Sequence, residues 1–243
     1  MLHPFFASSR PLVFAHRGGS ALAPENTITA FDNGLALGAD GLELDVHLSR
    51  DGAVVVHHDR TLDRTTTLRG PIADRTADEL RRAGIPMLAD VLSRYREVRI
   101  IVELKVNRPE LARATIDVIR GADAVERVCL GSFGLRVLRA ARALAPAIAT
   151  SAAREEVRWA LYRSWCRWPV SRVPYAGYQV PEVTGRTRVV SARFVAGAHA
   201  ADLGVQVWTV DTEEDARRLI GWGVDALITD RPDVVIPVVR EAP

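Results

Sequence analysis

The chain has 243 residues, 48% hydrophobic and 26% charged, with a formal net charge of +2 and 2 cysteines. Those proportions exclude long disorder, a collagen-like repeat, a coiled coil and a disulfide framework, and the balanced charge argues against a nucleic-acid partner. No apolar run reaches the roughly 18–20 residues of a spanning helix, and Met1–Arg10 lacks the charged start and apolar stretch of a secretion signal. The expectation is a cytoplasmic protein of one domain, 1–243, whose size suits a barrel better than a bundle.

Leu12–Ala15 reads as the first buried strand, followed by a helix over Glu25–Leu37. Leu42–Val46 and Val54–His57 are the next two strands. Only about six residues, His47–Gly52, separate them, too few for a crossover helix. The turn Ser49-Arg50-Asp51-Gly52 makes this pair a hairpin or a distorted part of a barrel. Asp59–Pro86 is polar and turn-rich, an insertion before the helix Met87–Arg94. Strand and helix then alternate: Arg99–Leu104, Pro109–Arg120, Val128–Gly131, Leu135–Leu144 and Ala147–Ser151. Arg154–Thr187 reads as a second insertion, with Tyr175–Val180 a weaker strand candidate inside it. Helix Arg193–Leu203, strand Val205–Val210, helix Thr212–Ile220 and strand Ala226–Thr229 complete the pattern. This alternation predicts a (β/α)8 TIM barrel, irregular between its second and third strands. An open doubly wound sheet is the alternative, but no Gly-rich dinucleotide turn follows the first strand.

Barrel enzymes place their reactive groups at the carboxyl ends of the strands. Here those ends carry His16-Arg17, Glu43 and Asp45, His57-His58-Asp59, and Glu103 with Lys105. Period-2 geometry puts Glu43 with Asp45, and Glu103 with Lys105, on one face. Three carboxylates at one mouth repel unless neutralised, and a hard divalent cation, Mg²⁺ or Ca²⁺, suits oxygen ligands. Solvated loop carboxylates are the alternative, but these lie inside apolar strands, where unpaired charge is costly. His16 and His58 suit a proton-exchanging pair. His3 and His199 read as structural, His47 as solvent-facing on the turn, and His57 as pointing away from His58. Arg17 and Lys105, the chain's one lysine, supply fixed positive charge for phosphate oxygens. Together the groups describe metal-assisted attack on an anionic phosphate ester.

These residues also form a recognisable ordered set. His16-Arg17-Gly18-Gly19, Pro24-Glu25-Asn26-Thr27 with Ala30-Phe31, Glu43-Leu44-Asp45-Val46 and Asp51-Gly52 resemble the glycerophosphodiester phosphodiesterase family. So do His58-Asp59, Thr61–Thr66, Glu103-Leu104-Lys105, Trp208-Thr209-Val210 and Ile228-Thr229-Asp230-Arg231-Pro232. The resemblance is strong over 12–107 and 189–233 and weak between them. It implies a barrel related to phosphatidylinositol-specific phospholipases, in which the short second link is a family feature. It implies that Glu43, Asp45 and Glu103 bind one divalent ion, that His16 and His58 are general acid and base, and that Arg17 and Lys105 hold phosphate. Glu25 becomes a mouth residue, unless Asn26 or Thr27 simply caps the first helix with Glu25 at its edge. Phe133 and Trp208 match aromatics near the glycerol site, and ordinary core is their other reading. Asp211 stands where Asn is commoner, and Gly131 where Ser is frequent. The implied reaction cleaves a glycerophosphodiester to sn-glycerol 3-phosphate and an alcohol. Water attack or a cyclic phosphate, and the acid or base role of each histidine, stay open.

Trp159, Tyr162, Trp165 and Trp168 recur every three residues among Arg154, Arg158, Arg163, Arg167 and Arg172. On a helix this is an aromatic stripe flanked by positive charge. It either packs onto the barrel's helices or touches a membrane surface through 154–172. The second option admits a lysophospholipase D activity at the same site. A non-catalytic barrel binding phosphorylated ligands is the reading from another class, and such a barrel is expected to have lost a carboxylate or a histidine.

Overall fold

The computed structural model describes residues 2–166, 168–170 and 172–241. Its strands are β1 (Leu12–His16), β2 (Gly41–Leu48), β3 (Val54–Val56), β4 (Arg99–Leu104), β5 (Val128–Gly131), β6 (Ala149–Thr150), β7 (Gly177–Pro181), β8 (Val183–Thr184), β9 (Thr187–Arg188), β10 (Gly204–Trp208) and β11 (Ala226–Thr229). The helices are α1 (Ile28–Ala36), α2 (Ala77–Arg82), α3 (Leu88–Arg94), α4 (Pro109–Gly121), α5 (Leu135–Leu144), α6 (Arg154–Cys166), α7 (Ala192–His199), α8 (Glu213–Gly221) and α9 (Pro232–Glu241).

Parallel pairing runs β6-β5-β4-β2-β1-β11-β10-β7. A parallel bridge between Ser151 and Gly177 brings the two ends together. Ala176 N–H donates to Thr150 O and Ala152 N–H to Gly177 O, both at 2.9 Å. The fold is the expected (β/α)8 TIM barrel.

Two strands exchange roles relative to the sequence expectation. Val54–Val56 is not a stave, because β3 folds back antiparallel on β2. The five-residue link 49–53 dictates this, since a parallel return needs a crossover. The weak candidate at Tyr175–Val180 is the stave instead, as β7. The segment 154–187 is therefore not a simple insertion, for it carries the barrel's own α6 and β7. Asp59–Pro86 does leave the barrel. Its Leu62, Ile72, Leu80 and Ile85 pack with Val55 and Met87 as a satellite core.

Alternation along β2 sets the site. Leu42, Leu44 and Val46 are fully buried against the helices, which turns Glu43 and Asp45 toward the barrel axis. Phe5, Phe6 and Phe14 fill the opposite end of the barrel, with Phe6 against Gly177 and Gly204 where β7 and β10 begin. The reactive face is thus the end where the strands finish.

The turn after β1 aims Arg17 inward. Arg17, Gly18 and Gly19 all have positive φ, 51°, 89° and 93°. A Cβ on Gly18 would stand 2.6 Å from Ala30 Cβ and 2.8 Å from the Phe31 backbone nitrogen. Gly18→Ala is expected to cost on the order of 3 kcal/mol in denaturant unfolding, from left-handed strain plus overlap with α1.

Candidate active site

A cavity of about 900 Å³ opens at the strand ends, and His16, Arg17, Glu43, Asp45, His58, Glu103, Lys105, Phe133 and Trp208 all line it. Register explains the meeting. His16 of β1 lies beside Glu43 of β2, and Asp45 beside Glu103 of β4.

Asp45 is the electrostatic hub. Its Oδ1 is 3.2 Å from Lys105 Nζ, and its Oδ2 is 3.3 Å from Arg17 Nε. Buried Asn26 donates from Nδ2 to Oδ2 at 2.9 Å. Burial opposes ionisation of Asp45, but Lys105 and Arg17 outweigh it and hold the carboxyl below its ordinary value. Glu43 accepts the Arg17 backbone N–H at 3.1 Å and lies 3.7 Å from His16 Nε2. Burial, then the neighbouring Asp45 charge, push Glu43 up to about 7. Burial likewise pushes Glu103 up to about 8 against the pull of Lys105.

Each imidazole is held by a carboxylate. His16 Nδ1 lies 2.7 Å from Asp230 Oδ1, and His58 Nδ1 lies 2.7 Å from Asp59 Oδ1. Burial favours neutral His16, but Glu43 and Asp230 together raise its proton affinity. His58 is held below its ordinary value, chiefly by burial. Arg64, from the 59–86 segment, grips Asp59 through Nε at 2.7 Å and Glu25 through Nη1 at 2.8 Å. Glu25 also accepts from Arg17 Nη1 at 3.2 Å. It ties Arg17 to Arg64 without itself lining the cavity, while Thr27, accepting from Ala30 N–H, caps α1.

Asp230, Asp59 and Arg64 are partners that the sequence left without roles, although their motifs contain them, and Asn26, a cap candidate in the sequence, holds Asp45 instead. Asp211 also gains an account. It accepts from Thr229 Oγ1 at 3.1 Å and from Asp230 N–H at 2.8 Å, so it braces the loop that holds His16. Gly131 is explained by space, because a Cβ there would stand 2.5 Å from both Glu103 Oε2 and Gln179 Oε1. The expectation for His47 is corrected. It is 4% exposed, because β2 runs on to Leu48 under β3, and its Nε2–H donates to the His58 carbonyl at 3.0 Å. His57 is buried with Nε2 2.9 Å from Thr65 Oγ1, away from the cavity.

The donor chemistry fits a hard divalent cation: three carboxylates from two adjacent strands, two of them desolvated and raised in proton affinity. They do not yet converge. Among the described residues no group of three such ligands stands at metal-holding spacing. Asp45 is turned to Lys105, Arg17 and Asn26 instead.

The aromatic stripe does not pack onto the barrel's helices. Trp159, Tyr162, Trp165 and Trp168 are 66%, 50%, 54% and 62% exposed. Arg167 lies outside the described residues. No helix among the described residues is long and apolar enough to cross a membrane.

Fold and site define a βα-barrel hydrolase acting on phosphoric esters. The glycerophosphoryl diester phosphodiesterase family model matches residues 16–234, and the chain belongs to that family. It is 34% identical over 254 residues to a glycerophosphodiester phosphodiesterase of Caldanaerobacter subterraneus subsp. tengcongensis, covering 96% of this chain and 99% of the relative. A structure of an Oleispira antarctica phosphodiesterase, in complex with the product sn-glycerol-3-phosphate, superposes with a TM-score of 0.77 at 28% identity, covering 96% and 98% of the two chains. A Mycobacterium tuberculosis glycerophosphoryl diester phosphodiesterase domain has the same fold, with a TM-score of 0.82 at 21% identity and coverage of 96% and 100%.

Proposed function

We propose that this one domain hydrolyses glycerophosphodiesters to sn-glycerol 3-phosphate and an alcohol, with the help of one divalent cation. The observation that carries this reading is the pairing of two carboxylate-held imidazoles with two cations and three carboxylates around one cavity. Arg17 and Lys105 are the phosphate-holding groups, and Phe133 and Trp208, edge to face at 5.9 Å, flank the glycerol. Glu43, Asp45 and Glu103 are the residues that would hold Mg²⁺ or Ca²⁺. When bound, the ion polarises a non-bridging phosphoryl oxygen.

The electrostatics favour one division of labour between the histidines. His58, held neutral chiefly by burial, takes the proton of the attacking hydroxyl. His16, kept protonated by Glu43 and Asp230, gives one to the leaving alkoxide. Either water or the neighbouring glycerol hydroxyl serves as nucleophile in this geometry.

The test is release of glycerol 3-phosphate from glycerophosphocholine and glycerophosphoethanolamine, with Mg²⁺, Ca²⁺ or EDTA. Activity that EDTA abolishes supports the reading, and inactivity on both substrates with either ion overturns it. The pH profile supplies a second check. The imidazole reference value is 6.5, so activity needs His58 deprotonated, with an acid limb below 6.5, and His16 protonated, with an alkaline limb above 6.5. Asp230→Asn removes a charge that raises His16, so its alkaline limb is expected to move to lower pH while the acid limb stays. An unmoved alkaline limb would assign that limb to another group.

A further inference from the structure

The cavity that holds the phosphate-site residues also runs along α6. Arg154, Val157, Arg158, Leu161 and Trp165 line it, standing at i, i+3, i+4, i+7 and i+11, one stripe of the helix. Val180 and Val189 add to the apolar lining. The wall is continuous with the aromatic pair, because the Arg154 guanidinium lies 5.0 Å over the Phe133 ring, which in turn meets Trp208.

The volume of about 900 Å³ lies near the top of the roughly 300–1,000 Å³ typical of sites for drug-sized ligands. A deacylated glycerophosphodiester is smaller and polar throughout. It leaves the α6 wall wet, and an apolar wall in water contributes nothing to its binding. The rim is equally unusual. Trp159 and Tyr162 flank Trp165 around α6, half or more exposed, beside Arg154 and Arg158. Indole and phenol rings of this kind suit contact with an amphiphile at its apolar–polar boundary.

We propose that the site's preferred substrates are glycerophosphodiesters bearing one apolar chain on the glycerol. The chain lies against Val157, Leu161, Trp165, Val180 and Val189 while the phosphate sits between Arg17 and Lys105. This rests on the phosphodiesterase reading and names its substrate class. The chain belongs on the glycerol rather than on the leaving alcohol, because Phe133 and Trp208 are the groups that adjoin the α6 wall. In the net reaction the oxygen of water bonds to phosphorus and the P–O bond to the alcohol breaks. The proton from water ends on the alcohol oxygen, leaving a monoacylglycerol 3-phosphate.

The experiment compares choline release from a short-chain lysophosphatidylcholine, kept below its micellar concentration, with release from glycerophosphocholine. Wild type is expected to favour the chain-bearing substrate in kcat/KM by roughly tenfold or more, since single methylenes in apolar pockets discriminate on that scale. Leu161→Asp, which puts a charge in the wall, is expected to lower that ratio at least about tenfold. Trp165→Ala, at a half-exposed position, is expected to lower it in the same direction. Glycerophosphocholine cleaved as well as or better than the chain-bearing substrate overturns this proposal alone, as does an unchanged ratio in both variants. Failure of wild type on both substrates overturns the underlying phosphodiesterase reading instead.

Discussion

Replacing His16 or His58 with alanine is expected to lower kcat by roughly 10²–10⁴-fold each, the range for loss of a positioned proton donor or acceptor. The expectation follows from how each ring is held. Nδ1 of each faces a carboxylate at 2.7 Å, which fixes the ring and leaves Nε2 to meet the substrate. The side chains are 15% and 28% exposed, and both rings line the cavity. Their loss therefore leaves little unfilled core, and melting temperatures should fall by only a few degrees. If the two act on the same phosphorus centre as proposed, the double variant is expected to lose far less than the product of the single losses. Steady-state kinetics on glycerophosphocholine with melting curves decide the matter. Variants that keep more than about a tenth of wild-type kcat would mean that proton transfer lies elsewhere. Variants that melt much earlier would mark the rings as structural.

The parts of this site that were legible in the sequence are the ones whose geometry is local. Glu43 and Asp45 share a face because a strand alternates, and Glu103 and Lys105 do so for the same reason. The buried Leu42, Leu44 and Val46 between and beside them fix which face that is. What holds the histidines was not legible, because it depends on closure of the barrel. His16 and Asp230 are 214 residues apart and meet because β1 pairs with β11. Arg64 reaches Glu25 across 39 residues only once the 59–86 segment has folded on its own small core.

The exchange of β3 and β7 has a similar origin. Val54–Val56 has three consecutive valines and reads as a stronger strand than Gly177–Pro181, whose Gly and Pro weaken the local signal. Sheet position was decided by the connection instead. Five residues between β2 and β3 permit only a hairpin, whereas α6 and the residues after it allow β7 to arrive parallel. His47 was misplaced by the same assumption, that β2 ends where its apolar alternation ends. The hairpin extends the strand and covers the ring.

Removing a charge from the three carboxylates proposed to hold the cation is expected to stabilise the metal-free protein while abolishing its activity. Burial raises Glu43 to about 7 and Glu103 to about 8 from a reference value of 4.5. Between these limits the folded state binds more protons than the unfolded chain, so stability falls as pH rises through 7 and 8. Asp45 and Asp59 are lowered, so their contribution is already complete above the carboxylate range and does not change here. His16, raised, adds to the decline above 6.5, whereas His58 and His47, lowered, have finished their change there. In EDTA at pH 8.5, Glu103→Gln is therefore expected to exceed wild type by one to several kcal/mol, on the scale of about 1.4 kcal/mol per pKa unit. Mg²⁺ or Ca²⁺ is expected to raise the wild-type melting temperature more at pH 8.5 than at pH 6, because a cation displaces protons from its carboxylates. Glu103→Gln is expected to lose most of that response. Melting curves across pH, with EDTA or each cation, decide it. A wild type indifferent to both ions at pH 8.5 would remove Glu43, Asp45 and Glu103 as a cation site. A Glu103→Gln variant no more stable than wild type there would mean that Lys105 already compensates the buried charge.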